Sequence, residues 1–289
     1  MSKPQDRGFR RSKLVTQAAN AARHLTALAL ERLPIRQWPA LCGRLHELSV
    51  PHRASRNPRP EPRGPANINI LLELLDRTTE VRGAIAECGV YRGSTLVAMA
   101  LHLKQKGLAK AVYGFDSFEG FGDVIQYDLG LERTEDDPGL RPGACADTSL
   151  EIVYRKLRLF GLADVKLIPG FFETSLAECP RVPFSFVHLD CDAHQSYLEC
   201  LRHFYSLMAV GGIILLDEYN DPAWPGCNLA VDRFLAGKPE QLEEICHDNH
   251  IKYYFVKQSA GIEGRKPSVP ASTNRSTGLI LAKAAGDGG

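Results

Sequence analysis

Residues 66–289 are expected to fold as an α/β domain, with a mostly parallel seven-stranded sheet, helices on both faces and a C-terminal antiparallel hairpin. Three features predict it. Short apolar runs alternate with stretches of helical periodicity, the pattern of strands and crossover helices in a parallel sheet. Several of those runs end in glycine or a carboxylate, as strand ends facing a ligand crevice do. Two β-rich segments then close the chain, separated by a Gly/Pro/Ser-rich loop, which suits a hairpin.

The elements follow in order. Residues 1–12 are polar and basic. From Lys13 to Leu33, Leu14, Val15, Ala18, Ala22, Leu25 and Leu28 recur at roughly helical spacing, and Pro34 breaks the pattern. Pro51 to Pro65 reads as a proline-rich linker, so residues 1–65 form a basic N-terminal extension. Its helix over residues 13–33 suits its own domain or a second copy of the chain in a homo-oligomer, with a membrane surface or partner protein as the alternative. Ala84–Val90 is then the first strand, and Ser94 is expected to cap a helix whose body is Thr95–Lys106. Ala111–Asp116 is the second strand.

Residues 120–147 are rich in Gly, Asp, Pro and Glu and read as a long loop. Loops of that length within a domain are commonly active-site lids. A helix over Ser149–Phe160, strands at Val165–Ile168 and Phe184–Asp190, a helix over Tyr197–Met208 and a strand at Ile213–Asp217 come next. Asn228–Leu235 is the last helix, and Ile251–Val256 and Thr277–Ala282 are the closing strands.

Charge narrows the function. Residues 1–63 hold 13 Lys and Arg against 4 Asp and Glu, while the rest of the chain holds 22 against 30. An acidic body does not make a nucleic-acid groove. The eight cysteines form no CxxC pair, several lie inside apolar runs, and such thiols suit a reducing cytoplasm. No run approaches the ~20 apolar residues of a membrane span, and the N-terminus lacks the features of a signal peptide. The expected setting is therefore cytoplasmic, with no transmembrane segment and no nucleic-acid partner.

The first strand runs into Glu87-Cys-Gly89-Val-Tyr91-Arg-Gly93-Ser94, an E-x-G-x-x-x-G turn. It is not the G-x-G-x-x-G of a dinucleotide binder. Gly89 lets the backbone turn tightly against a ligand, and Gly93 lets a helix start close to it. The helix N-terminus offers N–H groups to a carboxylate, and Glu87 can pair with an ammonium. Asp116, at the end of the second strand, can accept two hydrogen bonds from a ribose. An amino acid and a ribose in one pocket describe S-adenosylmethionine (SAM), with NAD as the rival.

Two more strand ends are acidic, Asp190-Cys191-Asp192 and Asp217-Glu218-Tyr219. Adjacent strands bring Asp190, Asp217 and Glu218 within reach of one another, where uncompensated carboxylates repel. A hard divalent cation such as Mg²⁺ relieves this and favours oxygen ligands. It can also orient a substrate hydroxyl and lower its pKa. Asp192 is the candidate general base and His194 the second. The competing reading makes these acids solvated strand ends or helix caps. His188 reads as a buried strand residue rather than a ligand.

The stretches Glu87-Cys-Gly-Val-Tyr-Arg-Gly93, Phe115-Asp-Ser-Phe-Glu-Gly120, Asp147-Thr-Ser149, Gly170-Phe-Phe-Glu-Thr174, Asp190-Cys-Asp192 and Asp217-Glu-Tyr219 resemble the macrocin and mycinamicin sugar O-methyltransferases. The similarity runs from about residue 66 to 257. It implies a Rossmann-like class I methyltransferase fold, SAM and Mg²⁺ as cofactors, and a sugar hydroxyl on a natural product or glycan as methyl acceptor. It also implies cofactor contacts at Glu87, Gly89, Gly93, Ser94, Asp116 and Ser117, and Tyr91, Gly170 and Phe171, within the matching stretches, are further cofactor-binding candidates. Metal ligands are implied at Asp190, Asp217 and position 218, with the base at Asp192.

Two departures stand out. Glu218 replaces a usual Asp, which shifts or weakens the metal site by one methylene. His194 replaces a usual Tyr. The alternatives are an NAD(P)-linked oxidoreductase or epimerase, which lacks its glycine turn and Tyr-x-x-x-Lys pair here, and a non-catalytic SAM-binding protein.

Overall fold

A computed structural model of the chain describes residues 65–122, 128, 142–247 and 249–259. The expected helix over residues 13–33, the linker, most of the 120–147 loop and the expected strand over residues 277–282 lie outside the described residues. Helix α1 (Pro65–Arg77) precedes β1 (Ala84–Cys88), α2 (Ser94–Gln105), β2 (Val112–Asp116) and α3 (Leu150–Leu159). Then come β3 (Lys166–Pro169), a short α4 (Phe172–Ser175), β4 (Phe184–Leu189), α5 (His194–Tyr205), β5 (Met208–Leu216), α6 (Pro225–Leu235), β6 (Glu243–His247) and β7 (His250–Val256).

The seven strands lie in the order β3-β2-β1-β4-β5-β7-β6. β1 to β5 are parallel, and β7 runs antiparallel to both β5 and β6. The chain runs outward from β1 to β3 and then returns to the other side of β1, so order reverses between β1 and β4. That reversal opens the crevice where such sheets bind ligands.

Both faces are covered, which is why β1 and β4 are buried at every position. Ile85, Leu167, Phe186, Ile213 and Leu215 pack with Leu71 and Leu74 of α1, Leu96 and Met99 of α2 and Val153 of α3. On the other face Ala86, Phe115, Val187, Leu189, Ile214 and Leu216 meet Tyr197 and Phe204 of α5 and Val231 of α6. A register shift in β4 puts Phe184 and Phe186, two residues apart, on opposite faces.

Four expectations need correction. The closing hairpin is present, but β7 pairs with residues 243–247, a segment too charged to read as a strand from its sequence. β6 is an edge strand with Ile245 its one buried residue, and it owes its strand state to pairing with β7. Helix α5 begins at His194, earlier than expected, because its first turn is polar and carries no apolar stripe. Ser94 does not cap α2. Gly93 takes the cap position in the left-handed region, with φ of 77°, and no side chain caps the helix. Helix α1 was absent from the sequence reading and is buried on the face it shares with α2.

The tightest approach lies at the reversal point. Gly89 has φ of 91°, and a Cβ there would stand 1.7 Å from the carbonyl oxygen of Asp190. No backbone there can yield without pulling β1 from β4. Gly107 also has positive φ, but a Cβ there meets nothing within 4 Å. Gly89→Ala is therefore expected to cost at least about 3 kcal/mol of stability, against ~1 kcal/mol for Gly107→Ala. Equal denaturation midpoints for the two variants would contradict the crowding at Gly89.

Candidate active site

The strand ends are joined in a row by backbone hydrogen bonds. Gly170 N–H donates to Asp116, Gly89 to Phe115, Asp190 to Cys88 and Asp217 to Leu189, each at 2.9 Å. This row carries predicted residues from the ends of five strands across the reversal point. Side chains then sort by strand alternation. Ile85, Phe186 and Leu215 face α1 and α2, so Glu87, His188 and Asp217, each two positions on, face the same side. Leu189 and Leu216 face α5, and Glu218 follows Leu216 to that side.

The turn after β1 is built around Asp116. Its two carboxylate oxygens accept the N–H groups of Tyr91 (2.7 Å) and Phe118 (2.6 Å). Burial pushes the Asp116 carboxyl up, and those N–H groups oppose it. Each ionised oxygen keeps a further lone pair for a ligand. Tyr91 holds φ of 48°, and the segment after the loop braces it from outside. Its hydroxyl donates to Asp147 at 2.6 Å, its carbonyl accepts from Thr148 at 2.6 Å, and Lys156 holds the Arg92 carbonyl at 2.6 Å. Arg92 also pairs with Asp147. The motif Asp147-Thr-Ser149 was the only sequence signal of this brace.

Ser117 fastens the next turn, donating to the Gly120 carbonyl at 2.8 Å and accepting from Glu119 at 3.1 Å. Gly170 has φ of 130°. Phe171 is 40% exposed, and its ring lies beside Gly122. A groove of about 450 Å³ beside α4 and α5, lined by Leu176, Arg181, Arg202 and His203 among others, contains none of the predicted site residues.

At the acidic end, Asp190, Asp217 and Glu218 each present an oxygen within 4.8 Å of the others. The strand-end expectation of proximity is met. His188 joins them, with Nδ1 2.9 Å from Glu87 Oε1 and Nε2 3.5 Å from Asp217 Oδ1. Burial pulls the His188 pKa down, but Asp217, Glu87 and Asp190 outweigh it and raise it to about 9. Burial pushes the Glu87 carboxyl up, against the pull of His188. With three carboxylates around it, His188 holds the proton of this group. Glu87 itself is 0% exposed, and its Oε2 meets no hydrogen-bond partner of good geometry among the described residues.

Two further contacts were not foreseen. Tyr197 donates to Glu218 Oε2 at 2.6 Å, so this longer acid is held from the α5 side. Lys252 of β7 lies 3.1 Å from Asp217 Oδ2 and donates to the Asp217 carbonyl at 2.6 Å. Asp192 has φ of 58°, and its carbonyl accepts from the Cys227 thiol at 2.8 Å. His194 is buried at the start of α5, where its N–H donates to Asp128 of the long loop at 2.5 Å. Burial, the largest influence, lowers the His194 pKa, so its ring is neutral at neutral pH.

Seven strands in this order, with an antiparallel hairpin and a glycine turn at the reversal, define a class I, Rossmann-like methyltransferase fold. The chain belongs to the macrocin-O-methyltransferase (TylF) family, whose model matches residues 66–254. It is 27% identical over 157 residues to mycinamicin III 3''-O-methyltransferase of Micromonospora griseorubida, covering 53% of this chain and 61% of that one. It is 30% identical over 159 residues to demethyldecarbamoylnovobiocin O-methyltransferase of Streptomyces niveus, covering 54% and 59%. The match thus spans about three fifths of the length of these relatives. The solved O-methyltransferase NovP superposes with a TM-score of 0.62 at 22% identity, over 81% of this chain and 100% of that one. Calicheamicin methyltransferase CalS11 gives 0.55 at 19%, over 82% and 91%. Among the described residues no helix is long and apolar enough to cross a membrane.

Removing the His188 ring breaks a buried charge pair, so His188→Gln is expected to cost about 3–5 kcal/mol. The raised pKa sets the sign of the pH effect. The His188 contribution is whole below the ordinary value near 6.5 and is lost as pH rises through about 9. Thermal unfolding between pH 6 and 10 should therefore show a decline in wild type that the variant lacks. Parallel curves would contradict it.

Proposed function

We propose that this chain is a SAM-dependent O-methyltransferase, assisted by Mg²⁺, that methylates a hydroxyl on a sugar moiety of a small molecule. The observation that carries the proposal is the pairing, across one reversal point, of the braced turn beside Asp116 with the acidic cluster beside Asp192. Membership of the macrocin-O-methyltransferase family supports the reading. So do the relatives named for O-methylation of mycinamicin III and of demethyldecarbamoylnovobiocin.

The residues suit SAM in a specific way. Glu87 Oε2, buried without a well-placed hydrogen-bond partner among the described residues, is the counterpart of an ammonium. The start of α2 at Gly93 and Ser94, which makes no side-chain cap hydrogen bond, leaves N–H groups that suit the carboxylate. Asp116 keeps lone pairs for the ribose, while Tyr91, Ser117, Gly170 and Phe171 shape the walls of that pocket. SAM, when bound, supplies an electrophilic methyl group on a sulfonium.

The donor set of Asp190, Asp217 and Glu218, all oxygen and within 4.8 Å, suits Mg²⁺. Mg²⁺, when bound, supplies a Lewis acid that orients the acceptor hydroxyl and lowers its pKa. Asp192 takes the hydroxyl proton on its carboxylate, with neutral His194 beside it as the second proton acceptor. Asp128 fixes the start of α5 and so fixes where His194 stands.

Calorimetric titration should show binding of SAM and none of NAD⁺; NAD⁺ binding alone would overturn the cofactor reading. Asp192→Asn should lower methyl transfer to a panel of glycosylated acceptors by about 10²–10⁴-fold with SAM affinity kept. Unchanged turnover would remove Asp192 from the base role. Asp217→Ala should abolish both turnover and its Mg²⁺ dependence, and a fully active, metal-independent variant would rule out the cation.

A further inference from the structure

The acidic cluster carries a lysine at its edge. Lys252 sits on β7, the antiparallel neighbour of β5, where Tyr253 is in register with Leu216. From there its Nζ reaches past the end of β5 to Asp217, 3.1 Å from Oδ2 and 2.6 Å from the backbone carbonyl. The two side chains are 16% and 11% exposed, so solvent screens this pair weakly compared with a surface pair. On the opposite side His188 Nε2 stands 3.5 Å from Oδ1 of the same carboxylate. The Asp217 carboxylate therefore has an ammonium of the chain itself on one oxygen and an imidazole nitrogen facing the other.

We infer that Lys252 is the resident cation of this cluster, and that a divalent ion binds only by displacing its ammonium from the Asp217 carboxylate. The inference rests on the metal reading of Asp190, Asp217 and Glu218 given above. A divalent ion among those oxygens needs a lone pair on Asp217 and is repelled by an ammonium a few ångströms away. The lysine also has somewhere to stay. Its bond to the Asp217 carbonyl does not use the carboxylate, so the side chain can release Oδ2 and remain docked on β5. Asp217 is thereby paired without metal, and metal affinity is set by competition with a tethered charge. Lys252 is a positioning residue here, acting through Asp217.

The test is Mn²⁺ affinity, read by electron paramagnetic resonance on the full chain, in wild type, Lys252→Gln and Lys252→Arg. Lys252→Gln is expected to bind Mn²⁺ at least tenfold more tightly than wild type, and Lys252→Arg to stay close to wild type. Without metal, Lys252→Gln should melt lower than wild type and recover when Mn²⁺ is added. Equal or weaker Mn²⁺ binding by a folded Lys252→Gln overturns the competition while leaving the metal site standing. Absence of Mn²⁺ binding in all three proteins overturns the metal reading itself. Should Lys252→Gln fail to fold, the wild type decides alone. The ¹⁵N signal of the Lys252 ammonium, assigned by its loss in Lys252→Arg, must move on saturation with Mg²⁺, and a fixed signal overturns the inference.

Discussion

Glu87 and His188 meet in the middle of the sheet, one on β1 and one on β4, with both side chains shielded from solvent. A carboxylate buried this deeply is costly unless paired, and the imidazole beside it is held protonated by the acids around it. The pair requires β1 and β4 to be neighbours in one register, in which Glu87 aligns with His188. That adjacency is also what places the reversal of strand order between them. The pair therefore sits beneath the crevice that the sheet opens for a ligand, and His188 extends it to Asp217 on β5.

Close approach does the rest. The turn at Gly89 presses against the end of β4 so tightly that only a residue without a side chain fits. Asp190 is drawn toward Glu87 by the same contact. Alternation along the strands then divides the acids. Asp217 shares the α1–α2 side with His188, while Glu218 points toward α5, where Tyr197 holds it. A ligand set drawn from both sides of the sheet can converge only at the strand ends, where the backbone stops separating them.

Much of this was legible in the order of residues. Apolar runs and helical stripes are local properties, so β1 to β5 and the helices α2, α3 and α5 follow from periodicity, while the one-turn α4 is too short to show a stripe. Strand ends were marked by Gly89, Asp116, Asp190 and Asp217, because ligand-facing ends select residues that core positions reject. Residues 243–247 were not legible, since an edge strand can be nearly all polar when its partner supplies the pairing. His188 read as a core histidine because its partners, at positions 87 and 217, are far away in the chain. Lys252 looked like any lysine on an edge strand, and nothing nearby signalled that β7 would bring it to Asp217. Asp128 was hidden in a loop without periodicity.

By itself the sequence determined the class of fold, the six motifs that mark the family, and which residues could hold an amino acid, a ribose or a hard cation. These are matters of residue type and local spacing. Only the tertiary structure decided which polar groups meet: His188 between Glu87 and Asp217, Tyr197 on Glu218, Asp128 on the His194 backbone N–H, and Lys252 on Asp217. The physical reason is that electrostatic partners are selected by distance in space and by burial. Both depend on strand order and on which way each side chain faces, and neither is carried by separation along the chain.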